Sequence, residues 1–462
     1  LIDYCCSIQH ILSSTTLTYK YDPYNLLYPW LGRGLLTSND RQWAVRRKLI
    51  TPSFHFRILK DFLHVINETT GRFMTLLEKE SAAAHNQLID MQELVSRNTI
   101  DVICETAMGF RVNSIEGNPS PIVGAINTLC EIIPERVLSV LKRIDFFFKW
   151  TPLYKQQQQA LTIMRAEFAK IIEQRRRLIK SSSYQASLNN DDTLDSKRPK
   201  MAFLDNLLTA EVDGKPMSFE DIFEEVSTFM FEGHDTTASA ITFAIFCLAI
   251  APEAQRKAYE EQLHIYGDEK TRHPTYDEVQ EMKYLDLVIK ETLRLFPSVP
   301  FIFRSTREST VVLDKYLPKG TTIAVPILPI GHSPHSFEAP YEFRPERFEA
   351  DNRSKASAFD NVPFSAGPRN CIGMLKRHQA DIDTYSHTFD LLCLGQKFAL
   401  LELKVTLSKL LRKFQILPAP LARQTIAQVF NHQYRPGPQE LKLQMPITLK
   451  SMTGVPVRLL KR

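Results

Sequence analysis

Hydrophobic residues recur at helical spacing through most of the first three hundred residues. Apolar side chains three and four positions apart form one face of each stretch, which is the pattern of an amphipathic helix packed on a core. We predict helices in four such stretches: 42–50, 87–108, 155–180 and 282–296. The last of them is followed by Pro297, which cannot continue a helix.

The longest predicted helix covers 219–250. It contains no proline and only one glycine, and Ser218 with Asp221 three residues on gives it a start that resembles a capping box. At 1.5 Å per residue such a helix is about 48 Å long. We therefore expect it to cross an entire domain.

Short strands replace helices after residue 300. Alternating apolar residues predict strands at 310–313 and 321–325, and proline-rich coil then extends to Pro368. The end of the chain, 447–460, alternates around Thr453 and Gly454 as a hairpin would. The pattern as a whole predicts a mainly α fold with a small β region, an α+β class.

Composition and charge exclude several kinds of protein. The 462 residues are 44% hydrophobic, so the chain can bury a large core. Its 57 basic and 52 acidic residues leave a net charge of +5, which argues against a nucleic-acid binder with a dense basic surface. The seven cysteines contain no C-x-x-C pair, which argues against a disulfide framework or a zinc ribbon and indicates a reducing compartment.

Membrane-spanning and targeting segments are not evident in the sequence. The longest nearly apolar stretch, 241–251, has about half the length that a bilayer-spanning helix needs. The sequence begins at Leu1, within a polar and aromatic segment, and no signal segment opens it. We expect an N-terminal piece to be missing.

The strongest chemical signal is one cysteine in a loop bracketed by glycines. A lone cysteine is more often a small buried hydrophobe. Here it belongs to a wider pattern, F-x-x-G-x-R-x-C-x-G, formed by Phe364, Gly367, Arg369, Cys371 and Gly373. Glycines let a flat cofactor approach the backbone, and N–H groups of such a loop can turn toward the sulfur, which suits a metal-bound thiolate.

On this motif the chain resembles the cytochrome P-450 superfamily, the haem-thiolate monooxygenases. The resemblance implies the fold of that superfamily, with a long central helix over haem b (iron protoporphyrin IX). It implies that Cys371 is the axial iron ligand, that Arg369 binds a haem propionate, and that Phe364 and Gly373 contact the cofactor. We expect residues 1–462 to form one such domain, without the membrane anchor and first strands of microsomal relatives.

Two further sets of residues match the superfamily. Glu291 and Arg294 are three residues apart on a predicted helix, a spacing that alone indicates an exposed salt bridge worth under about 1 kcal/mol. The resemblance implies instead a buried structural network behind the haem, which Arg347 of the P-E-R-F segment completes. Trp43 and Arg47 match the W-x-x-x-R of a helix that contacts a haem propionate.

The long predicted helix carries an acid beside a hydroxyl, Asp235 and Thr236. Charged runs on a long helix usually face solvent, but apolar residues flank this one on both sides. The nearby Gly233 and a threonine that bonds back to a carbonyl weaken the helix locally, which makes room for a small ligand. By the resemblance, Asp235 and Thr236 relay protons to bound dioxygen.

One position of this helix indicates which family of the superfamily the chain resembles. Most superfamily members have alanine where this chain has Glu232, and the string FEGHDTTAS is similar to family 4, the fatty-acid omega-hydroxylase group. In that group the glutamate can become esterified to a haem methyl. Glu232 is therefore either a covalent cofactor anchor or a nearby carboxylate that never forms the ester.

The resemblance also implies the substrate region and the partners. Residues 19–35, Phe231, 299–303 and the turn near Thr453 would line a pocket for a lipophilic small molecule, although each could equally be core. No G-x-G-x-x-G follows a predicted strand, so electrons are expected from a separate NADPH-cytochrome reductase, with cytochrome b5 as a second candidate donor. The expected location is the cytoplasmic face of the endoplasmic reticulum membrane, with membrane contact and no nucleic-acid partner.

The sequence departs from the superfamily between the cysteine loop and the next helix. Residues 374–395 are inserted there, and they show no helical or strand periodicity. A retained intron is the interpretation that we favour, and a genuine surface loop is the alternative.

These features predict a monooxygenase that inserts one oxygen atom of dioxygen into a lipophilic substrate, through terminal hydroxylation of fatty acids or of related lipids, hormones or xenobiotics. An isomerase or peroxide-using enzyme of the same fold is one alternative. A catalytically inactive haem-binding or helical interaction protein is another, and the insertion is the only feature that supports it.

Overall fold

The computed structural model describes residues 4–462 except 55, 84–87, 118–119, 182–202, 351–356, 373–393, 421–423, 432, 434 and 438. Gly373 lies outside the described residues. So does the predicted insertion 374–395, apart from its last two residues, which begin a helix.

Helices make up most of the fold. In chain order they are α1 (Tyr4–Ser13), α2 (Tyr28–Leu31), α3 (Asp40–Ile50), α4 (Phe56–Ala83), α5 (Met91–Thr106), α6 (Pro121–Leu138), α7 (Val140–Arg143), α8 (Asp145–Phe148), α9 (Pro152–Lys180), α10 (Phe203–Thr209), α11 (Phe219–Ile250), α12 (Pro252–Tyr266), α13 (Tyr276–Glu281), α14 (Lys283–Leu295), α15 (Ile327–Gly331), α16 (Leu394–Lys413) and α17 (Ile426–Val429). Short 3₁₀ turns cover Tyr24–Leu27, Thr51–Phe54 and Pro345–Phe348. The predicted mainly α class is confirmed.

Helix α11 is the centre of the core. It covers the predicted range, and the Ser218 hydroxyl accepts a hydrogen bond from the Asp221 N–H at its start. It packs against α5, α14 and α16 and is buried along most of its length. Within the described part of the chain it is the one helix long and apolar enough to cross a membrane, but 78% of its most apolar stretch is buried inside the protein. This burial is typical of a core helix.

The strands are short and form small antiparallel sheets. They are β1 (Ile89–Asp90), β2 (Glu211–Val212), β3 (Lys215–Pro216), β4 (Ile302–Ser305), β5 (Thr310–Val312), β6 (Lys315–Leu317), β7 (Thr322–Val325), β8 (Phe414–Pro418), β9 (Leu443–Gln444), β10 (Lys450–Ser451) and β11 (Pro456–Lys461). The three-stranded sheet has the order β1-β11-β8, and β4 pairs with β7 so that Ile302 lies opposite Val325.

The predicted C-terminal hairpin is wrong. The chain does turn at Gly454, where φ is +71°, but the strands on either side of the turn pair elsewhere. Strand β10 pairs with β9, whereas β11 pairs with β8 and β1. The backbone on both sides of the turn is bonded to the start of α5 instead. The Asp90 carboxylate accepts a hydrogen bond from the Val455 N–H at 2.8 Å, and the Gln92 side chain exchanges hydrogen bonds with the Ser451 backbone at 3.0 and 2.9 Å.

Candidate active site

A cavity of about 490 Å³ lies between the cysteine loop and α11. Cys371 and Phe364 line it from the loop, and Glu232, Gly233 and Thr236 line it from α11. Most of the remaining wall is aliphatic or aromatic. A mostly apolar cavity with a few convergent polar groups is typical of a cofactor or small-molecule site.

The cysteine loop has a defined backbone that explains its first glycine. The Cys371 N–H donates to the Phe364 carbonyl at 3.1 Å, and the Asn370 N–H donates to the Gly367 carbonyl at 3.2 Å. Gly367 has φ +69°, and a Cβ there would lie 1.8 Å from the carbonyl oxygen of Leu12 in α1. Only glycine fits a left-handed position so close to another backbone.

Arg47 ties this loop to α3. Its guanidinium donates to the Asn370 carbonyl at 2.8 Å and to the Asn370 side-chain oxygen at 2.7 Å. A longer contact of 3.4 Å reaches the Cys371 carbonyl. Arg47 therefore fixes the backbone on which Cys371 stands.

Arg369 is held over an aromatic ring. Its guanidinium donates to the carbonyls of Ser38 at 2.9 Å and Leu36 at 3.2 Å, and it lies 4.7 Å from the ring centre of Trp43. These contacts fix the guanidinium in the wall of the cavity. The structure thus brings together Trp43, Arg47, Arg369 and Cys371, which the motifs singled out separately.

The charges that line the cavity are unbalanced. Among the described residues the lining contains four cations, Lys20, Arg47, Arg304 and Arg369, and one carboxylate, Glu232. Burial, with Arg304 and Arg47 nearby, lowers the pKa of Arg369 to about 9. Burial also lowers the pKa values of Lys20 and Arg304.

One buried donor of this cluster is unused. The Nη2 atom of Arg304 is buried and has no hydrogen-bond partner among the residues that the structure describes. An unused donor beside buried like charges favours binding of an anion. The residues present therefore fit a flat apolar cofactor with two carboxylates, such as haem.

Another cation of this lining, Lys20, belongs to the segment 19–35 that the sequence predicted to line the pocket. Its Nζ donates to the Leu36 carbonyl at 3.2 Å and lies 4.8 Å from the ring centre of Tyr24. No local motif marks Lys20 or Arg304, because they join the cluster through contacts between residues far apart in sequence.

Glu232 lines the cavity within this positive field. Burial raises the pKa of its carboxyl group, and Lys20, Arg369 and Arg47 oppose that effect. Its backbone carbonyl accepts a hydrogen bond from the Thr236 hydroxyl at 2.6 Å. This back-bonding is the local loosening expected from the sequence, although α11 continues through it.

The predicted acid and alcohol face different surroundings. Thr236 lines the cavity, whereas Asp235 is not among the described residues that do. Asp235 is 2% exposed, pairs with Lys450 at 2.5 Å and accepts a hydrogen bond from the Thr448 hydroxyl. Thr448 itself lines the cavity, so this hydroxyl connects the carboxylate to the cavity wall.

The neighbouring histidine does not face the cavity. The His234 Nε2 atom lies 2.8 Å from the Ser96 hydroxyl of α5. Burial lowers the pKa of His234 to about 4, so the ring is neutral at physiological pH.

Glu291, Arg294 and Arg347 form one buried network. The Glu291 carboxylate accepts two hydrogen bonds from Arg294, both at 2.7 Å, and one from Arg347 at 2.9 Å. Arg294 also donates to the carbonyls of Gly331 at 2.6 Å and Pro340 at 2.7 Å. The network joins α14 to the coil that precedes the cysteine loop, and it does not line the cavity.

The predicted substrate-contacting segments reach the cavity with one exception. Lining residues come from 19–35, from Phe231 and from all of 299–303. The turn near Thr453 was predicted wrongly, because the C-terminal contribution comes from 445–448. The two-residue strand β10 and its pairing with β9 place those earlier residues against α11.

Comparison with known proteins identifies the family. The cytochrome P450 family model matches residues 7–375. "Cytochrome P450 4e2" of Drosophila melanogaster is 40% identical over 98% of this chain and 83% of its own length. "Cytochrome P450 4e5, mitochondrial" of Drosophila mettleri is 44% identical over 89% and 73%, and "Cytochrome P450 4d1" of Drosophila melanogaster is 38% identical over 88% and 76%. The chain therefore belongs to the cytochrome P450 family, and within it to family 4, and is a monooxygenase.

Proposed function

We propose that this chain hydroxylates the terminal carbon of fatty acids or related lipids. The observation that carries the proposal is the cavity, which is apolar over most of its wall and has its charges collected in one cluster. Such a wall favours a hydrocarbon chain, because each buried CH₂ group contributes about 0.8 kcal/mol.

Cys371 is our proposed ligand for the iron of haem b. Arg369, Arg47 and the unused donor of Arg304 would hold the carboxylates of the cofactor, with Trp43 and Phe364 against its ring. When bound, haem supplies the iron at which dioxygen is activated for insertion of one oxygen atom into a C–H bond. Glu232 lines the same cavity, which supports it as the carboxylate that would become esterified to a haem methyl.

Proton supply is the proposed role of Asp235 and Thr236. The Thr236 hydroxyl is on the cavity wall, where it can hold a proton for the reaction. The Asp235 carboxylate reaches the same wall through the hydroxyl of Thr448. Because the Thr448 hydroxyl donates to this carboxylate, Asp235 has to take up a proton before Thr448 can pass its own proton into the cavity.

Exposed apolar side chains beside the cavity support a lipophilic substrate. Large apolar side chains from the last residue of α6 to the start of α9 are exposed, among them Leu138 at 87% and Trp150 at 81%. Basic residues lie between them: Lys142, Arg143 and Lys149. Exposed apolar side chains interleaved with cations are typical of a membrane surface contact.

Leu138 belongs to this exposed stretch and to the cavity lining. We therefore propose that substrate enters from the membrane, and that the membrane is the cytoplasmic face of the endoplasmic reticulum. Because one relative is named mitochondrial, imaging of the tagged chain against markers of both organelles decides between the two locations.

Electron supply is proposed to come from NADPH-cytochrome reductase, with cytochrome b5 as an auxiliary donor. Reconstitution with reductase alone and with both proteins tests this. Hydroxylation that proceeds equally well without the reductase would contradict it.

Two measurements test the proposed function. The first is the carbon-monoxide difference spectrum of the reduced protein, with and without residues 374–395. We expect the thiolate band, its loss in Cys371→Ser and its retention in the control Cys247→Ala, since Cys247 is buried in α11 away from the cavity. A chain without the thiolate band in either form favours the inactive haem-binding or interaction protein.

The second measurement is product analysis after incubation with lauric or palmitic acid, reductase and NADPH. Terminal hydroxy acid as the main product supports the proposal. Internal hydroxylation alone, or no oxidised lipid from a protein that shows the thiolate band, would contradict it. Extraction of haem with acid tests the ester separately. We expect haem to stay attached to the wild-type protein and to be released from Glu232→Ala.

A further inference from the structure

Residues 445–451, which we call the C-terminal wall segment, lie along the central helix. Its first four residues line the cavity. The Leu449 carbonyl accepts a hydrogen bond from the Ser239 hydroxyl of α11 at 2.7 Å, and the Leu449 N–H donates to the Ser298 carbonyl at 2.8 Å. The backbone of the wall segment is therefore attached at one point to α11 and at another to the coil after α14.

Asp235 supplies the other attachment to α11, one helical turn before Ser239. The Thr448 hydroxyl donates to Asp235 Oδ2, and Lys450 Nζ lies 2.5 Å from Asp235 Oδ1. Cys130 Sγ is 3.9 Å from the same Oδ2. One buried carboxylate thus holds two side chains of the wall segment.

Lys450 is the charged member of this attachment. Its side chain is 16% exposed, and Nζ also donates to the Asn127 side-chain oxygen at 2.9 Å. Burial alone would lower the pKa of Lys450, but Asp235, Cys130 and Glu131 together raise it. The ammonium group therefore stays charged at physiological pH and balances the buried carboxylate.

We propose that Lys450 is a positioning residue that determines which carbon of the substrate is oxidised. Through its ion pair with Asp235 it fixes the wall segment, and that segment forms one side of the cavity. The proposal deepens the proposed function and rests on it, because it concerns the choice between the terminal and neighbouring carbons of a lipid chain.

The choice between neighbouring carbons tolerates only a small displacement of the substrate chain. Neighbouring carbons of an alkyl chain differ little in binding energy, so the wall has to hold the chain in one place. A misplacement of about 1 Å at a reacting centre can cost about 10²-fold in rate. Loss of the ion pair leaves Asp235 buried with one fewer partner and lets the wall segment move.

The test uses the haem-loaded full chain and three variants. Lys450→Met keeps an unbranched side chain one atom shorter and removes the charge, and Lys450→Arg keeps the charge. Lys461→Met is the matched control, because Lys461 is an exposed lysine on β11 whose Nζ lies 3.9 Å from Glu78. The measurements are the ratio of terminal to penultimate hydroxylation of lauric acid and hydrogen exchange in the wall segment.

We expect Lys450→Met to lower the product ratio by about tenfold and to raise exchange at the Leu449 amide, with an unchanged thiolate band. Lys450→Arg should restore most of the ratio, and Lys461→Met should behave as wild type. An unchanged ratio in Lys450→Met overturns the proposal, whether or not exchange rises.

Failure of the proposed function gives a different result. In that case the wild-type chain forms no hydroxylated lauric acid at all, while exchange in the wall segment still tests the attachment. Wild-type exchange in Lys450→Met then overturns the positioning role independently of the substrate.

Discussion

Replacement of Glu291 by glutamine is expected to destabilise the fold strongly while leaving the cavity wall unchanged. The Glu291 carboxylate is fully buried and accepts hydrogen bonds from Arg294, Arg347 and the Arg344 N–H. Glutamine keeps the size but removes the negative charge, and its amide N–H₂ group meets a guanidinium donor. Breaking a buried pair by neutralising one partner costs about 3–5 kcal/mol.

The assay is urea unfolding of the haem-loaded protein, followed by tryptophan fluorescence. Glu342→Gln is the matched control, because the Glu342 side chain is 61% exposed and pairs with Arg344 beside the same network. We expect a clear decrease of the midpoint for Glu291→Gln and no measurable change for the control. Equal midpoints for wild type and Glu291→Gln would refute the view that the network stabilises the fold.

A double-mutant cycle then separates the pair energy from the cost of an unpaired charge. Glu291→Gln combined with Arg347→Met should be less destabilising than the sum of the two single changes, by about 0.5–3 kcal/mol. Strict additivity would show that Arg347 and Glu291 do not interact in solution.

Three further predictions concern charge and backbone. Burial raises the pKa of Glu225 to about 7 from an ordinary value of 4.5, so its contribution to stability is present below pH 4.5 and is lost as pH rises toward 7. In that window the free energy of unfolding should fall by up to about 1.4 kcal/mol per pH unit because of Glu225, and Glu225→Gln should remove this dependence. Equal pH dependence of unfolding in wild type and variant would contradict this. Gly367→Ala places a Cβ against the Leu12 backbone at positive φ. We expect a loss of about 1–3 kcal/mol of stability and a smaller thiolate band. A wild-type band together with a wild-type melting temperature would show that the loop can adjust. Arg304→Met removes the unused buried donor; haem should dissociate faster to apomyoglobin than from wild type, and an unchanged transfer rate would show that Arg304 does not hold the cofactor.

The sequence predicted features that depend on local pattern. The range of α11 followed from a cap and an uninterrupted apolar pattern, and the structure has the same bounds. The network of Glu291, Arg294 and Arg347 and the loop around Cys371 were found through motifs with fixed spacing. In each case the signal lies within a short stretch of chain or in a motif of known family.

Features that depend on distant contacts were not predicted. Lys20 and Arg304 are 284 positions apart, and although the predicted lining segment 19–35 includes Lys20, no local pattern indicates that these two cations meet at one cavity. The prediction of a hairpin over 447–460, which includes Lys450, is wrong because alternation indicates a strand but not its pairing partner. The outcome at β10 was decided by Gln92 on α5, which exchanges hydrogen bonds with the Ser451 backbone at 3.0 and 2.9 Å.

Leu138 lies in both the exposed apolar stretch and the cavity lining, and the proposed entry of substrate from the membrane at this point would change how kinetics with this protein should be expressed. A ligand that enters from an apolar phase responds to its mole fraction in that phase rather than to its amount per volume of buffer. Doubling the amount of vesicles should then raise the apparent KM, expressed as total fatty acid per volume, about twofold, although no residue has changed. Comparisons between variants or relatives are meaningful only at one fixed ratio of lipid to substrate.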